Sequence, residues 1–209
     1  MTDKDTWNYL ARKNYRYYIH TVRKDITEEE FVQSGYKDYN NIIVNDDIVQ
    51  KRRKSVDFPT LLEIGCGAGR ILQHAVWDFR YVYGVDVSDE MINLAKVRLF
   101  DYKNVSLSVN DGKVFPWIDG TFDVVFSYAV FQHVKDYSTV ESNFLEAYRT
   151  LCNGGIFKVL LGCTEYRNMN TWYSGVCFTD EMITKISSKF NTLKKERTGD
   201  NRVWLWLEK

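Results

Sequence analysis

The apolar positions of the chain change their period near residue 60. Before it they recur at helical spacing: Trp7, Leu10, Ala11, Asn14, Tyr15 and Tyr18 fall on one face, the i, i+3, i+4, i+7 pattern of an amphipathic helix. In "ITEEEFVQSG", Thr27 and Glu30 form a capping box, Ile26 and Phe31 a hydrophobic staple, and Gly35 a stop, which predicts a short second helix. A third helix is expected near 45 to 54, ending in "KRRK" and broken by Asp57, Phe58 and Pro59.

From Thr60 onward the pattern alternates. The runs "TLLEIGC", "YVYGVDV", "VSLSVND", "FDVVFSYAV" and "GGIFKVLLG" are nearly continuous in apolar residues, as strands buried on both faces are. Helical patterns separate them: one with Ile71, Leu72, Ala75, Val76 and Phe79 inward, one from Ser88 to about Leu99, and one with Val140, Phe144, Leu145, Tyr148 and Leu151 on one face. Strand and helix in alternation predict a doubly wound, Rossmann-like α/β sheet. After a helix capped at Thr179, "NTLKKERT" and "RVWLWLEK" are joined by the turn signal "GDN", which predicts an antiparallel hairpin closing one sheet edge.

At 209 residues and 44% hydrophobic, the chain is expected to form a single domain, with residues 1–58 a helical N-terminal part and 59–209 the core. Lys plus Arg equals Asp plus Glu at 28 each, so there is no global field to recruit nucleic acid. "KRRK" reads as a solvated helix end, with an RNA patch as the alternative. Cys66, Cys152, Cys163 and Cys177 form no CxxC pair, and His20, His74 and His133 have no metal-ligand spacing, so no metal is expected. With no leader-like h-region and no run of 18 apolar residues, the expectation is a reduced cytoplasmic compartment and no membrane.

The candidate chemistry starts at "LLEIGCGAGR". Gly65, Gly67 and Gly69 let backbone approach a ligand at the end of the first strand. A dinucleotide fingerprint needs a small residue three after its second glycine, but Arg70 follows Gly67 and Leu72 follows Gly69 at that spacing. There is no GK[ST] ending either, which excludes a P-loop. Asp86 ends the second strand, where a carboxylate accepts hydrogen bonds from ribose hydroxyls; the competing role, capping the next helix, already belongs to Ser88. A ribose without a pyrophosphate is what remains to be bound.

These residues resemble the class I S-adenosylmethionine-dependent methyltransferases, in the small stand-alone type with a helical N-terminal lid. "LLEIGCGAGR", "GVDVSDEMINLAK", "NDG", "FDVVFSYAVFQHV" and "LCNGGIFKV" are similar to the family's first five motifs, in order. The resemblance implies a sheet of order 3-2-1-4-5-7-6 with the last strand antiparallel, and S-adenosylmethionine as cofactor. It implies that Glu63, Gly65, Gly67 and Gly69 shape the methionine-binding loop and Arg70 reaches the methionine carboxylate. It implies further that Asp86 holds both ribose hydroxyls, that Val87 and Met91 flank adenine, that Asp111 beside Gly112 accepts from the adenine amino group, and that Ser127 lies near the methionine part. Met91 is equally placed for core packing.

Methyl transfer from a sulfonium is an in-line displacement that needs alignment and a deprotonated acceptor. His133, shortly after the fourth strand, is the candidate base, with a structural role in the "FQHV" turn as its alternative. Tyr15, Tyr17, Tyr18, Trp172 and Tyr173 offer aromatic faces for an acceptor or for a lid–core interface. The expected reaction is methylation of oxygen or nitrogen on a small-molecule acceptor. A protein or RNA methyltransferase and a non-catalytic binding subunit are the alternatives; "SYAV" in place of an NPPY-like tetrapeptide and zero net charge weigh against the nucleic-acid form.

Overall fold

The computed structural model describes residues 2–162, 175–199 and 202–209. Three helices come first: α1 (Asp3–His20), α2 (Glu28–Tyr39) and α3 (Asp47–Lys54). The capping boxes at Thr2 and Thr27 are both formed, each hydroxyl accepting the N–H three residues on. Within α1 the backbone leaves the helix at Asn14, whose Oδ1 accepts the Tyr17 N–H at 3.2 Å and restarts it.

Gly35 does not stop α2. The helix runs on to Tyr39 and continues as a π-helical turn, Asn40–Val44, and a Cβ at Gly35 would collide with the Arg70 carbonyl. The glycine is there for close approach to the loop after the first strand, and the two glycine uses look alike in sequence.

The strands β1 (Thr60–Ile64), β2 (Tyr81–Asp86), β3 (Val105–Val109), β4 (Phe122–Ser127), β5 (Leu151–Gly162), β6 (Asn191–Arg197) and β7 (Arg202–Glu208) form one sheet of order β3-β2-β1-β4-β5-β7-β6. Every pairing is parallel except those of β7 with β5 and β6. This is the doubly wound α/β architecture with an antiparallel last strand.

Alternation sorts the two cores. Leu61, Val124, Phe126 and Ile156 face the layer of α3, α4 (Leu72–Ala75) and α5 (Asp89–Arg98), where Ile43, Val49, Leu72 and Ile92 are buried. Leu62, Val125 and Phe157 face α6 (Tyr137–Thr150) and α7 (Asp180–Ile186), against Val140, Phe144 and Ile183. Two expectations need correction. The helix after β1 is a single turn, because i→i−3 bonds such as His74 N–H to the Ile71 carbonyl tighten its ends; Ile71, Leu72, Ala75, Val76 and Phe79 are nonetheless all buried. Leu145 lies outside the α6 stripe, 46% exposed, while Asn143 and Ala147 take the inward positions.

Candidate active site

The parallel strands direct their carboxyl ends to one side of the sheet, and there a cavity of about 900 Å³ opens between the loops after β1, β2, β3 and β4 and the ends of α1. Its size sits at the upper end of small-molecule sites.

The loop after β1 is built by three left-handed glycines, Gly65 (φ 71°), Gly67 (φ 51°) and Gly69 (φ 75°). At Gly65 a Cβ would run into the Val130 side chain, so the loop and the β4 exit are packed without room for any other residue. Gly65 and Gly67 line the cavity, whereas Gly69 packs the loop onto Leu99 and Ala95 at the end of α5.

Asp86 closes the loop from the other side. Its Oδ2 accepts the Gly67 N–H and its Oδ1 the Ser88 N–H, each at 2.9 Å, and the carboxylate lines the cavity. Burial lifts its pKa above the usual carboxylate value, against the N–H donors of Ser88, Gly67 and Val87 that lower it. Ser88 caps α5 through Met91 N–H, as expected, and its hydroxyl donates to Asn8 of α1 at 2.6 Å.

Val87, Met91, Asp111 and Gly112 follow along the wall. Met91 serves both readings, lining the cavity while almost wholly buried beside Ala11 and Ala68. Asp111 stands at the exposed rim, its Oδ1 accepting the N–H groups of Lys113 and Val114 at 2.9 Å, which hold its pKa low. Gly112 (φ 82°) gives its carbonyl to the Asn143 amide at 2.6 Å.

At the other end the charges are buried. Glu63 is 4% exposed, burial pushes its pKa well up, and its Oε2 has no hydrogen-bond partner among the described residues. Arg70 is similarly buried, but its guanidinium pairs with Asp38 at 2.6 Å and meets the Ser34 hydroxyl at 3.2 Å. The cation expected to reach a ligand carboxylate is thus first engaged by α2.

His133 ends a 3-10 turn, Phe131–His133, and is buried in the cavity wall. Its Nε2 lies 3.1 Å from Gln132 Nε2, and the Trp7 ring meets it edge-on at 5.3 Å. Ala129, two residues past β4, holds φ 59°, a left-handed backbone that a side chain tolerates only at a cost of about 1 to 2 kcal/mol. Tyr128 and Val130, on either side of that corner, both line the cavity.

Three expected site residues are placed elsewhere. Ser127 is wholly buried and donates to the Ile64 carbonyl at 3.2 Å, joining the ends of β4 and β1 outside the cavity wall. Tyr17 packs edge-on against Tyr18, and only Tyr18 reaches the wall. Tyr15 joins α1 to α2, donating to Glu28 at 3.0 Å and resting on Phe31. Trp172 and Tyr173 lie outside the described residues.

Asp38 and Asn143 were not singled out from the sequence. Reading α2 through Gly35 would have put Ser34 and Asp38 one turn apart on the face that meets Arg70. Asn143 carried a signal too, as a polar residue inside the buried stripe of α6.

Residues 62–159, from the glycine loop to the fifth strand, match the family described as a methyltransferase domain. That match and the strand order together support the class I S-adenosylmethionine-dependent methyltransferase family for this chain. Within these methyltransferases it is 36% identical over 105 residues to phosphoethanolamine N-methyltransferase 2 of Caenorhabditis elegans, covering 49% of this chain and 23% of that one. It is 25% identical over 127 residues to the malonyl-[acyl-carrier protein] O-methyltransferase of Xylella fastidiosa, covering 57% and 43%. The chain therefore spans less than half the length of either curated relative. The methyltransferase fold also superposes on a crystal structure from Haemonchus contortus, phosphoethanolamine N-methyltransferase 2 in complex with phosphomonomethylethanolamine and S-adenosylhomocysteine, with a TM-score of 0.68. That match is 23% identical and covers 94% of this chain and 46% of the other, a likeness of fold.

Proposed function

We propose that this chain binds S-adenosylmethionine in the main cavity and transfers its methyl group to oxygen or nitrogen of a small-molecule acceptor. The observation that carries the reading is the wall itself: left-handed glycines at one end, Asp86 in the middle and the Asp111 rim at the other, in the order in which an amino acid, a ribose and a base would meet them. The residues fit the group. Glu63 Oε2, buried and without a partner among the described residues, is placed for an ammonium, and Gly67 and Asp86 for a ribose.

When bound, the cofactor supplies a methyl group already activated on sulfur. The chain's own work is alignment, exclusion of water and handling of one proton. Residues 1–58 act as a lid over the core 59–209: Trp7, Tyr18 and His20 close the cavity from α1. The proton that the acceptor gives up would pass to His133 or to water. Enclosure by the lid favours a small acceptor. Arg52 and Arg53 of "KRRK" are engaged by Asp123 at 2.7 Å and by the Asp78 carbonyl at 3.1 Å, and their side chains are only 18% and 22% exposed, which takes both out of an RNA patch and out of the solvated helix end expected from the sequence. Among the described residues no helix is long and apolar enough to cross a membrane, and we assign the protein to the cytoplasm.

The test is calorimetric titration with S-adenosylhomocysteine, followed by transfer of labelled methyl from S-adenosylmethionine into a cell extract split into small-molecule and macromolecular fractions. Binding with label in the small fraction supports the proposal. Label in protein or RNA overturns the acceptor class, and binding without transfer favours the non-catalytic reading.

A further inference from the structure

The sheet ends in two edge strands of opposite character, β6 and β3. β6 is exposed along its whole length and carries Lys194, Lys195, Glu196 and Arg197, charges of the kind that keep an edge from pairing with another chain. β3 carries none. It reads "VSLSV", apolar residues and serines alone.

Its bonds to β2 fix which way the backbone of β3 points. The Asn104 carbonyl accepts the Val82 N–H, and the Asn110 N–H donates to the Asp86 carbonyl. The N–H and C=O of a strand residue point to one side and alternate along the chain, so Ser106 and Ser108 also face β2. Val105, Leu107 and Val109 direct theirs away from the sheet. Among the described residues those outward groups have one partner, the Ser108 hydroxyl, which donates to the Val109 carbonyl at 3.3 Å.

The five residues read the same in both directions. An antiparallel strand of identical sequence, related by a two-fold axis at Leu107, therefore sets Val105 opposite Val109, Ser106 opposite Ser108, and Leu107 opposite itself. The backbone agrees with this register. Val105, Leu107 and Val109 all point outward, so each of their opposed pairs exchanges two N–H to C=O bonds. A slip of one residue would oppose outward groups to ones already bonded to β2 and lose the ladder. The serine hydroxyls meet on one face, and the valines and leucines continue the other, which packs on the core of Leu72 and Ile92.

Apolar side chains stand beside this edge. Trp77, Val97 and Phe100 are each more than three-quarters exposed. Trp77 meets Tyr102 edge-on at 5.6 Å, and Asn104 donates to the Val76 and Phe79 carbonyls, which places Trp77 at the foot of β3. The three side chains offer on the order of 400 Å² per copy, about half of what one partner of a standard interface buries. The strand edge and the neighbouring surface of α5 add to it.

We propose that the chain forms a two-fold dimer in which β3 pairs antiparallel with β3 of a second copy, joining the two sheets into one across Leu107. Self-complementary sequence and matching backbone direction are what an isologous interface requires, and they select a second copy over an unrelated strand.

The experiment is sedimentation equilibrium of the full chain over a concentration series, with amide hydrogen exchange followed by NMR at low and high concentration. The expected result is a dimer whose formation protects the amides of Val105, Leu107 and Val109. Ser106→Lys with Ser108→Lys sets like charges directly opposite one another and should weaken the dimer about tenfold or more. Ser106→Lys with Ser108→Glu sets opposite charges there and should restore it. Circular dichroism checks that both double variants are folded, and the exchange measurement on the unaltered chain decides by itself if either is not. A chain that stays monomeric up to about 1 mM overturns the assignment. So does a dimer that leaves the three amides unprotected, or equal dissociation of the two double variants.

Discussion

Asp86 Oδ2 accepts the Gly67 N–H at 2.9 Å across 19 residues of chain, so the carboxylate placed for a ribose also holds the glycine loop in shape. Asp86→Ala is expected to do two things. It leaves the Gly67 and Ser88 amides without an acceptor, which costs about 1 to 3 kcal/mol each where they stay dry. It also weakens S-adenosylhomocysteine binding at least about tenfold, the loss of one charge-assisted contact. Urea denaturation and calorimetry measure the two separately; a variant that loses stability but binds normally would confine Asp86 to the loop.

Glu63 predicts a pH dependence. Burial raises its folded pKa well above the usual value, so the native state keeps a proton that the unfolded chain releases from about pH 4.3 upward. Its contribution is fully present below that pH and is lost as pH rises through the folded pKa. Glu63→Gln cannot ionise, so the stability of wild type relative to this variant should decline as pH climbs from 4 toward neutrality. A gap in urea midpoints that stays constant over that range would contradict burial as the dominant cause.

Buried and exposed ion pairs should behave differently. Asp38→Ala strands the Arg70 guanidinium, whose side chain is 6% exposed, and should destabilise the fold by about 3 kcal/mol. Lys4→Ala removes a pair with Asp89 in which both side chains are about half exposed, and should change stability by less than about 1 kcal/mol. Thermal denaturation of the two variants side by side checks the contrast.

Gly35→Ala, a gain of one methyl in mid-helix, raises helix propensity and would ordinarily stabilise. Here the methyl meets the Arg70 carbonyl, so a loss of about 1 to 3 kcal/mol is expected together with weaker S-adenosylhomocysteine binding, because α2 must move off the loop. Unchanged stability would show that the helix shifts freely.

His133→Asn tests the proton's destination. As general base, His133 contributes about 10² to 10⁴-fold, which should appear in kcat. An unchanged kcat with weaker S-adenosylhomocysteine binding would leave it as a wall residue against Trp7.

Much of this protein was determined by sequence alone, because local signals there agreed with the tertiary outcome. Apolar runs in β1, β2, β4 and β5 could only be strands buried on both faces, Ser88 and Thr179 are caps that satisfy their own helices, and the hairpin of β6 and β7 follows from its turn. The glycine spacing and Asp86 identified the main cavity for the same reason: backbone conformation and one strand-end carboxylate are encoded within about twenty residues of each other.

Tertiary structure decided what depends on contacts distant in sequence. Gly35 reads as a stop until the Arg70 carbonyl is beside it, and Ser127 reads as a ligand-facing hydroxyl until the end of β1 supplies its acceptor. Arg70 was legible as a cation but not as one paired to Asp38. The cluster of Asp46, Lys158 and Trp206 was invisible altogether, since Asp46 lies more than a hundred positions from either partner and only the sheet brings them together. Charge pairing and packing between such residues carry no periodicity, and the fold alone creates them.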